Sequence, residues 1–338
     1  MNDKPKATVI IPAYNAARTI GQTLASLLAQ KGESLEIVVV DDGSTDETLD
    51  ICYKIKASSP VPVRIFHQRH KGQSAAQNFG LAQAKGEFVI FLDADDIPER
   101  EYVAKLVEAA EKDTETDISC CSYSLLYEDG ATKPRRLPSS LAGKTLSGSE
   151  TLSRILTEDI EVWSGSALYR RVFLLDSEVF FDEEMTMGQD IDFRWKAFYN
   201  ARKVAFVTDI LVHYVQHDLS VTRAFDPVRF PPATWLDPAG FLEYLGSKGK
   251  EDDRLRALVQ ERVMPRFLTR KLRNCILYGL DEMFWETLGQ ESTRTVLKRG
   301  FKKNFFNSPG IGLKCLSFLM LPGLVYRRYR YQRERLGG

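Results

Sequence analysis

The sequence predicts an α/β protein: a mainly parallel central sheet flanked by helices on both faces, followed by a helical carboxyl-terminal extension. Three observations carry this. Short β-branched runs alternate with segments of helical period through the first third of the chain. Clusters of Asp, Asn and Ser follow the ends of three of those runs. From about Asp226 the strand pattern gives way to long helical periodicity.

Thr8–Ile11 is apolar and β-branched and reads as a buried strand that Pro12 ends. Ile20, Leu24, Leu27 and Leu28 then fall on one helical face. Glu36–Val40 is a second strand, and Ser44 with Glu47 fits a capping box that opens a helix through about Ala57. Val63–Phe66 is a third strand, Ser74–Ala84 a helix and Glu87–Leu92 a fourth strand. A β-α-β-α order of this kind places ligands at the carboxyl ends of the strands. Asp117–Tyr127 reads as a further strand, and Glu128–Ser149 is turn-rich. A helix near Glu150–Thr157, an apolar segment at Trp163–Tyr169 and a helix near Ile191–Asn200 follow. Val204–Val207 and Ile210–Val215 read as two strands, Arg254–Tyr278 as a long helical stretch and Met283–Val296 as another helix.

With 338 residues, 43% hydrophobic and 27% charged, the chain is globular and long enough for a large α/β domain plus an appendage. Its 46 basic and 46 acidic groups balance, but unevenly along the chain. From Arg294 onward there are eleven Lys/Arg and one acid, Glu334, which leaves 35 basic and 45 acidic groups before it. A basic tail on an acidic body points to an anionic partner surface or to a solvated helix. Cys315–Tyr326 is uncharged but shorter than the roughly 20 residues that cross a bilayer. The expectation is therefore peripheral membrane contact, with no nucleic-acid motif present. Five cysteines without a C-x-x-C pair predict reduced thiols, and the apolar run after Lys6 is too short for a signal-peptide core. The expectation from both is a location in the cytoplasm or on the cytoplasmic face of the inner membrane.

The strand ends carry the chemistry. Pro12-Ala-Tyr-Asn15 follows the first strand, Asp41-Asp42-Gly-Ser-Thr-Asp46 the second and Asp93-Ala-Asp95-Asp96 the fourth. Helix capping accounts for Ser44, but poorly for an acidic pair closing Val38-Val39-Val40. Asp93 and Asp95 form an Asp-x-Asp, two hard carboxylates suited to Mg²⁺ or Mn²⁺ with positions left for phosphate oxygens. The absence of a following Thr disfavours a phosphatase nucleophile, and the spacing disfavours a calcium loop. The turn after the first strand lacks the glycines a dinucleotide dehydrogenase needs.

Thr8-Val-Ile-Ile-Pro-Ala-Tyr-Asn15, Val39-Val-Asp-Asp-Gly-Ser-Thr-Asp46, Gly72–Gly80 and Phe91-Leu-Asp-Ala-Asp-Asp96 together resemble the successive signatures of glycosyltransferase family 2. The resemblance covers about residues 6–225. It implies the GT-A fold and inversion at the anomeric carbon. It also implies a catalytic domain over 1–225, with a donor half at 1–96 and an acceptor half at 97–225, and an extension over 226–338. Pro12 and Tyr14 would line the base pocket, and Asp42 would accept from the base N3–H, favouring uridine. Asp93 would lie near the ribose and metal, Asp95 would ligate the metal, and Asn78 is retained. Gln77 stands where the family often has Arg. Gln189-Asp190 resembles the family's Glu-Asp pair, with Asp190 as catalytic base and Gln189 on the acceptor side. Asp192 is its rival and points elsewhere on the helix. His217 and Arg223 would belong to a polar loop over the diphosphate. Trp163 is either packing or an acceptor contact, and His213 a core or surface residue. The reading is a metal-dependent glycosyltransferase (Mn or Mg) that uses a UDP-sugar and a glycan or lipid-linked acceptor in cell-surface polysaccharide or glycolipid synthesis. The alternative is a catalytically inactive nucleotide-sugar-binding module.

Overall fold

The computed structural model describes residues 4–216, 235–248, 252–306 and 308–336. The chain divides into two compact units, Met1–Phe225 and Asp226–Gly338.

The first unit opens with β1 (Ala7–Ala13), α1 (Ile20–Leu28), β2 (Leu35–Asp41), α2 (Thr48–Ser58), β3 (Val63–His67), α3 (Gln73–Gln83) and β4 (Phe88–Phe91). The four strands are parallel in the order β3-β2-β1-β4. Every residue of β1 and β2 is buried, as strands covered on both faces must be. The two-residue period of β2 divides its side chains between layers. Val38 and Val40 meet Ala76 of α3 on one face, and Ile37 and Val39 join Leu24, Leu27 and Cys52 of α1 and α2 on the other. Gly80 permits the close approach of α3, because a Cβ there would lie 2.3 Å from Ile10 Cγ2.

β5 (Ile97–Pro98), α4 (Tyr102–Glu111), β6 (Thr116–Tyr127), β7 (Thr132–Arg135), β8 (Thr145–Ser147) and α5 (Gly148–Leu156) follow. Then come β9 (Ala167–Arg170), α6 (Arg171–Asp176), α7 (Gln189–Asn200) and β10 (Lys203–Gln216). β9 runs antiparallel between β4 and β6, and β10 lies parallel to β6, so the sheet is mixed but mainly parallel. Two antiparallel steps restore direction, which puts the carboxyl end of β10 on the same rim as that of β4.

Four local expectations change. Pro12 does not end β1 but pairs with Val40 inside it. The Ala13 carbonyl accepts from Asp42 N on the β2 side, so Pro12 faces β4, whose pairing has already stopped at Ile10. No ladder bond is lost. Ser44 does not cap α2; its Oγ accepts from Asn15 N (3.0 Å), while Asp46 accepts from Thr48 N (3.1 Å) and Oγ1. The two strands expected near Val204–Val215 are one strand, β10, with register shifts at Val207/Ile210 and Ile210/Val212. The segment Met283–Val296 is two helices.

The second unit contains α8 (Pro238–Ser247), α9 (Asp253–Leu258), a π-helical turn (Val259–Val263) and α10 (Met264–Leu277). α11 (Asp281–Gly289), α12 (Glu291–Asn304), α13 (Pro309–Met320) and α14 (Pro322–Leu336) complete it. Its own core gathers Leu272, Ile276, Phe284, Leu297, Cys315 and Phe318. All five cysteines are buried and unpaired.

Candidate active site

The strand order reverses beside β1: β2 and β3 lie to one side, β4 to the other. Such a switch point opens a crevice at the carboxyl ends of the strands. Here the loop after β1 is fastened to the loop after β2. Asn15 adopts a left-handed backbone (φ 49°), and its Oδ1 accepts from Thr45 N at 2.8 Å. Ala16 N donates to Thr48 Oγ1 and Ala17 N to Asp46 Oδ2. The acidic and hydroxyl residues after β2 thus fix the shape of the crevice floor.

Asp42 is buried and holds the segment that leads into α3. Its Oδ1 accepts from Gln68 Nε2 (2.7 Å) and Lys71 N (2.8 Å). Its Oδ2 accepts from Gly72 N (2.8 Å) and lies 2.8 Å from His70 Nδ1. A carboxylate offers about four acceptor positions, so all are taken. Gly72 meets the carboxylate with φ 97°, a conformation that glycine adopts without strain. Tyr14, 40% exposed, stacks on His70 with ring centroids 4.2 Å apart, while Pro12 is buried within β1. The neighbouring Asp41 points to the other side, with Oδ2 2.7 Å from His67 Nδ1 and Oδ1 buried without a partner.

After β4, ligand oxygens of Asp93, Asp95 and Asp96 all lie within 4.8 Å of one another. Burial, then the carboxylates of Asp95 and Asp190, push Asp93 up to about 7 against an opposing bond from Gln73 Nε2 (2.8 Å). Asp96 is raised well above the carboxylate range by burial and then by Asp93 and Asp95. Val215 N of β10 donates to its Oδ1 at 3.1 Å, and its Oδ2 is buried without a partner. Tyr214 beside it is pushed up to about 12 by burial, then by Asp93 and Asp96. Three converging carboxylates, one with an orphaned oxygen, form a hard-oxygen donor set that fits Mg²⁺ or Mn²⁺.

The start of α7 lies beside the same cluster: Gln189 approaches Gln73, whose Nε2 donates to Asp93, and the Asp190 carboxylate adds to the upward push on Asp93. Arg194 Nη2 donates to Asp190 Oδ2 at 2.8 Å, and its Nη1 to the Val162 carbonyl, which orients the carboxylate. Gln189 Nε2 stands 3.5 Å from Gln73 Oε1, at the outer limit of a hydrogen bond, and its Oε1 is buried without a partner. Asp192 is buried and paired with Lys196 at 2.6 Å.

Two residues expected to contact ligand are engaged within the protein. Asn78 is committed to the segment before α7: its Nδ2 donates to the Phe181 carbonyl and Glu183 Oε1, and its Oδ1 accepts from Phe181 N, all at 2.9 Å. Trp163 is 9% exposed and stacks on Tyr214 at 4.7 Å. His213 bridges Ser124 Oγ (2.6 Å) and Glu99 Oε1 (2.8 Å). His217 and Arg223 lie outside the described residues. Gln73, Asp96, His70, Arg194 and Tyr214 were not singled out from the sequence. Of these, only Asp96, third in an acidic run, and Gln73, inside the Gly72–Gly80 stretch, carried a local signal.

The family model for glycosyl transferase family 2 matches residues 8–176. EpsH of Bacillus subtilis (strain 168), which carries a glycosyltransferase name, is 28% identical over 307 residues, covering 86% of this chain and 88% of EpsH. The poly(ribitol-phosphate) beta-N-acetylglucosaminyltransferase TarS of Staphylococcus aureus (strain Mu50) is 32% identical over 211 residues, covering 62% of this chain but 35% of TarS. The structure of S. aureus TarS 1–349 in complex with UDP-GlcNAc superposes with a TM-score of 0.62 at 20% identity, over 98% of this chain and 92% of that one. That likeness shows a shared GT-A fold. With its family model spanning half of its length, the chain belongs to glycosyl transferase family 2.

Proposed function

We propose that the protein is an inverting, metal-dependent glycosyltransferase that moves a sugar from a UDP-sugar to an acceptor hydroxyl. The observation that carries this is the meeting of Asp93, Asp95 and Asp96 within 4.8 Å at the end of β4, with Asp190 acting on Asp93 from the start of α7. A divalent cation held by Asp93 and Asp95 would supply Lewis-acid neutralisation of the charge that builds on the diphosphate leaving group. Tyr14 offers a stacking face for the base, and Asp42 accepts its N3–H when His70 or Gln68 withdraws. Gln73 orients Asp93 through its 2.8 Å hydrogen bond. Asp190, held by Arg194, takes the proton of the acceptor hydroxyl as that oxygen attacks the anomeric carbon. The bond to the diphosphate breaks on the opposite face, so one base and one displacement invert the centre.

TarS, solved with UDP-GlcNAc and named for a poly(ribitol-phosphate) acceptor, supports a UDP-sugar donor and a polymeric acceptor for this chain, for which we propose a glycan or lipid-linked molecule. The setting proposed is cell-surface polysaccharide or glycolipid synthesis, in the cytoplasm or at the cytoplasmic face of the inner membrane. The test is UDP release from a panel of UDP-sugars in Mn²⁺. Release from one sugar that is abolished in Asp95→Ala supports the enzyme. Binding of a UDP-sugar with no turnover in any acceptor mixture favours the inactive binding module, for which the neutral Gln189 speaks.

A further inference from the structure

The carboxyl-terminal unit carries an apolar, strongly basic surface that its own packing does not consume. Cys315 and Phe318 of α13 are buried against Leu272, Phe284 and Leu297. Its other face is open: Leu313 is 53% and Met320 69% exposed. The joint into α14 continues with Leu321 at 54% and Leu324 at 60%, and Phe306, before α13, is 87% exposed. α13 and α14 meet at 107°, which puts Met320 and Leu321 at the apex of an elbow. Lys314, next to Leu313 in α13, and Arg327 and Arg328, three and four residues after Leu324 in α14, are also exposed.

We propose that this surface docks the protein on an anionic lipid bilayer without crossing it. Phe306, Leu313, Met320, Leu321 and Leu324 enter the acyl boundary, and Lys314, Arg327 and Arg328 meet lipid phosphates. Among the described residues no single helix is long and apolar enough to span a membrane; α13 and α14 together have the length and composition, but the 107° bend and the exposed Arg327 and Arg328 of α14 suit a helix pair lying at the interface. Charge complementarity selects the occupant. Eleven Lys/Arg against one acid from Arg294 onward would set like charges opposite one another if a second copy docked face to face. A nucleic acid would satisfy the arginines but leave the aliphatic elbow in water. The inserted set differs from the whole uncharged Cys315–Tyr326 stretch that the sequence singles out, because Cys315 and Phe318 belong to the core. Removing the tail would strip that core, so point substitutions are the test.

This proposal does not rest on sugar transfer. The full-length protein is co-sedimented with vesicles of phosphatidylglycerol and phosphatidylcholine in equal parts, and with phosphatidylcholine alone. Binding is expected only to the anionic vesicles and is expected to be released by salt. Each basic group near such a surface raises partitioning about fivefold, so Arg327→Glu with Arg328→Glu should lower it at least about 25-fold. Leu321→Asp with Leu324→Asp should abolish it. Melting temperature and UDP affinity of both variants are read alongside and should match wild type. The proposal is overturned if wild type ignores anionic vesicles at low salt, or if the aspartate variant binds them as wild type does. It is equally overturned if those variants only shift a monomer–dimer equilibrium, or if duplex DNA competes the protein off the vesicles while the aspartate variant still binds that DNA.

Discussion

Replacing Asp42 by Asn separates its two roles, holder of the segment before α3 and acceptor for a base. The carboxylate receives two backbone N–H groups, Lys71 and Gly72, each at 2.8 Å, and the Gln68 amide at 2.7 Å, with His70 Nδ1 at 2.8 Å. An asparagine turns one of the two oxygens into a donor, which then faces either Lys71 N–H or Gly72 N–H. Losing one charge-assisted bond costs about 1.5–3 kcal/mol, and leaving a partly buried N–H unmet adds about 1–3 kcal/mol. The expected loss is about 3–5 kcal/mol. For a unit of this size each kcal/mol lowers the melting temperature by about 2–4 °C, so a fall of about 6–20 °C is expected without nucleotide. The assay is thermal unfolding with and without UDP. If Asp42→Asn melts with wild type in the absence of UDP and loses only the stabilisation that UDP gives, Asp42 serves the base alone and the reasoning about the loop is refuted.

Asp190→Asn keeps shape and most hydrogen bonding but cannot accept the proton, so kcat should fall about 10²–10⁴-fold. Because Asp190 adds negative charge beside Asp93, donor affinity should hold or tighten; steady-state kinetics with near-wild-type kcat would remove Asp190 as the base. Asp192 is held above the ordinary carboxylate range by burial, with Lys196 opposing. Its proton is bound more tightly in the folded than in the unfolded chain, so its stabilising contribution is complete below about pH 3.9 and is lost as pH rises through the folded value. Asp192→Asn should therefore melt above wild type at neutral pH, with the gap closing as pH approaches about 4; a gap that widens on acidification contradicts this. Gly80→Ala drives a methyl to within 2.3 Å of Ile10 Cγ2 and should cost about 1–3 kcal/mol in chemical denaturation, whereas an unchanged midpoint would mean that α3 can lift from β1.

The donor half was largely legible because its signals are local. Strands such as Glu36–Val40 are short apolar runs buried on both faces, and the polar clusters follow them directly. What escaped depends on partners far along the chain. Asp96 looks like one more polar loop residue until Val215, 119 residues later, donates to it and β10 buries it. Ser44 is a credible cap from its spacing to Glu47, and only its bond from Asn15 N, far back in the chain, shows that it fastens the β1 loop instead of α2. The polar pair Thr208-Asp209 resembles a turn between strands but is a register shift within β10. Asn78 reads as a donor contact because it lies in the Gly72–Gly80 stretch, yet its amide is committed to Phe181 and Glu183, more than a hundred residues away.

The central claim is that the acidic cluster and the nucleotide crevice form one metal-linked site. Titration calorimetry of UDP into wild type and Asp95→Ala, each with Mn²⁺ and with chelator, tests it most directly. The account predicts tighter UDP binding with Mn²⁺ in wild type and no metal effect in Asp95→Ala. Equal UDP affinity in wild type with and without Mn²⁺ would contradict it.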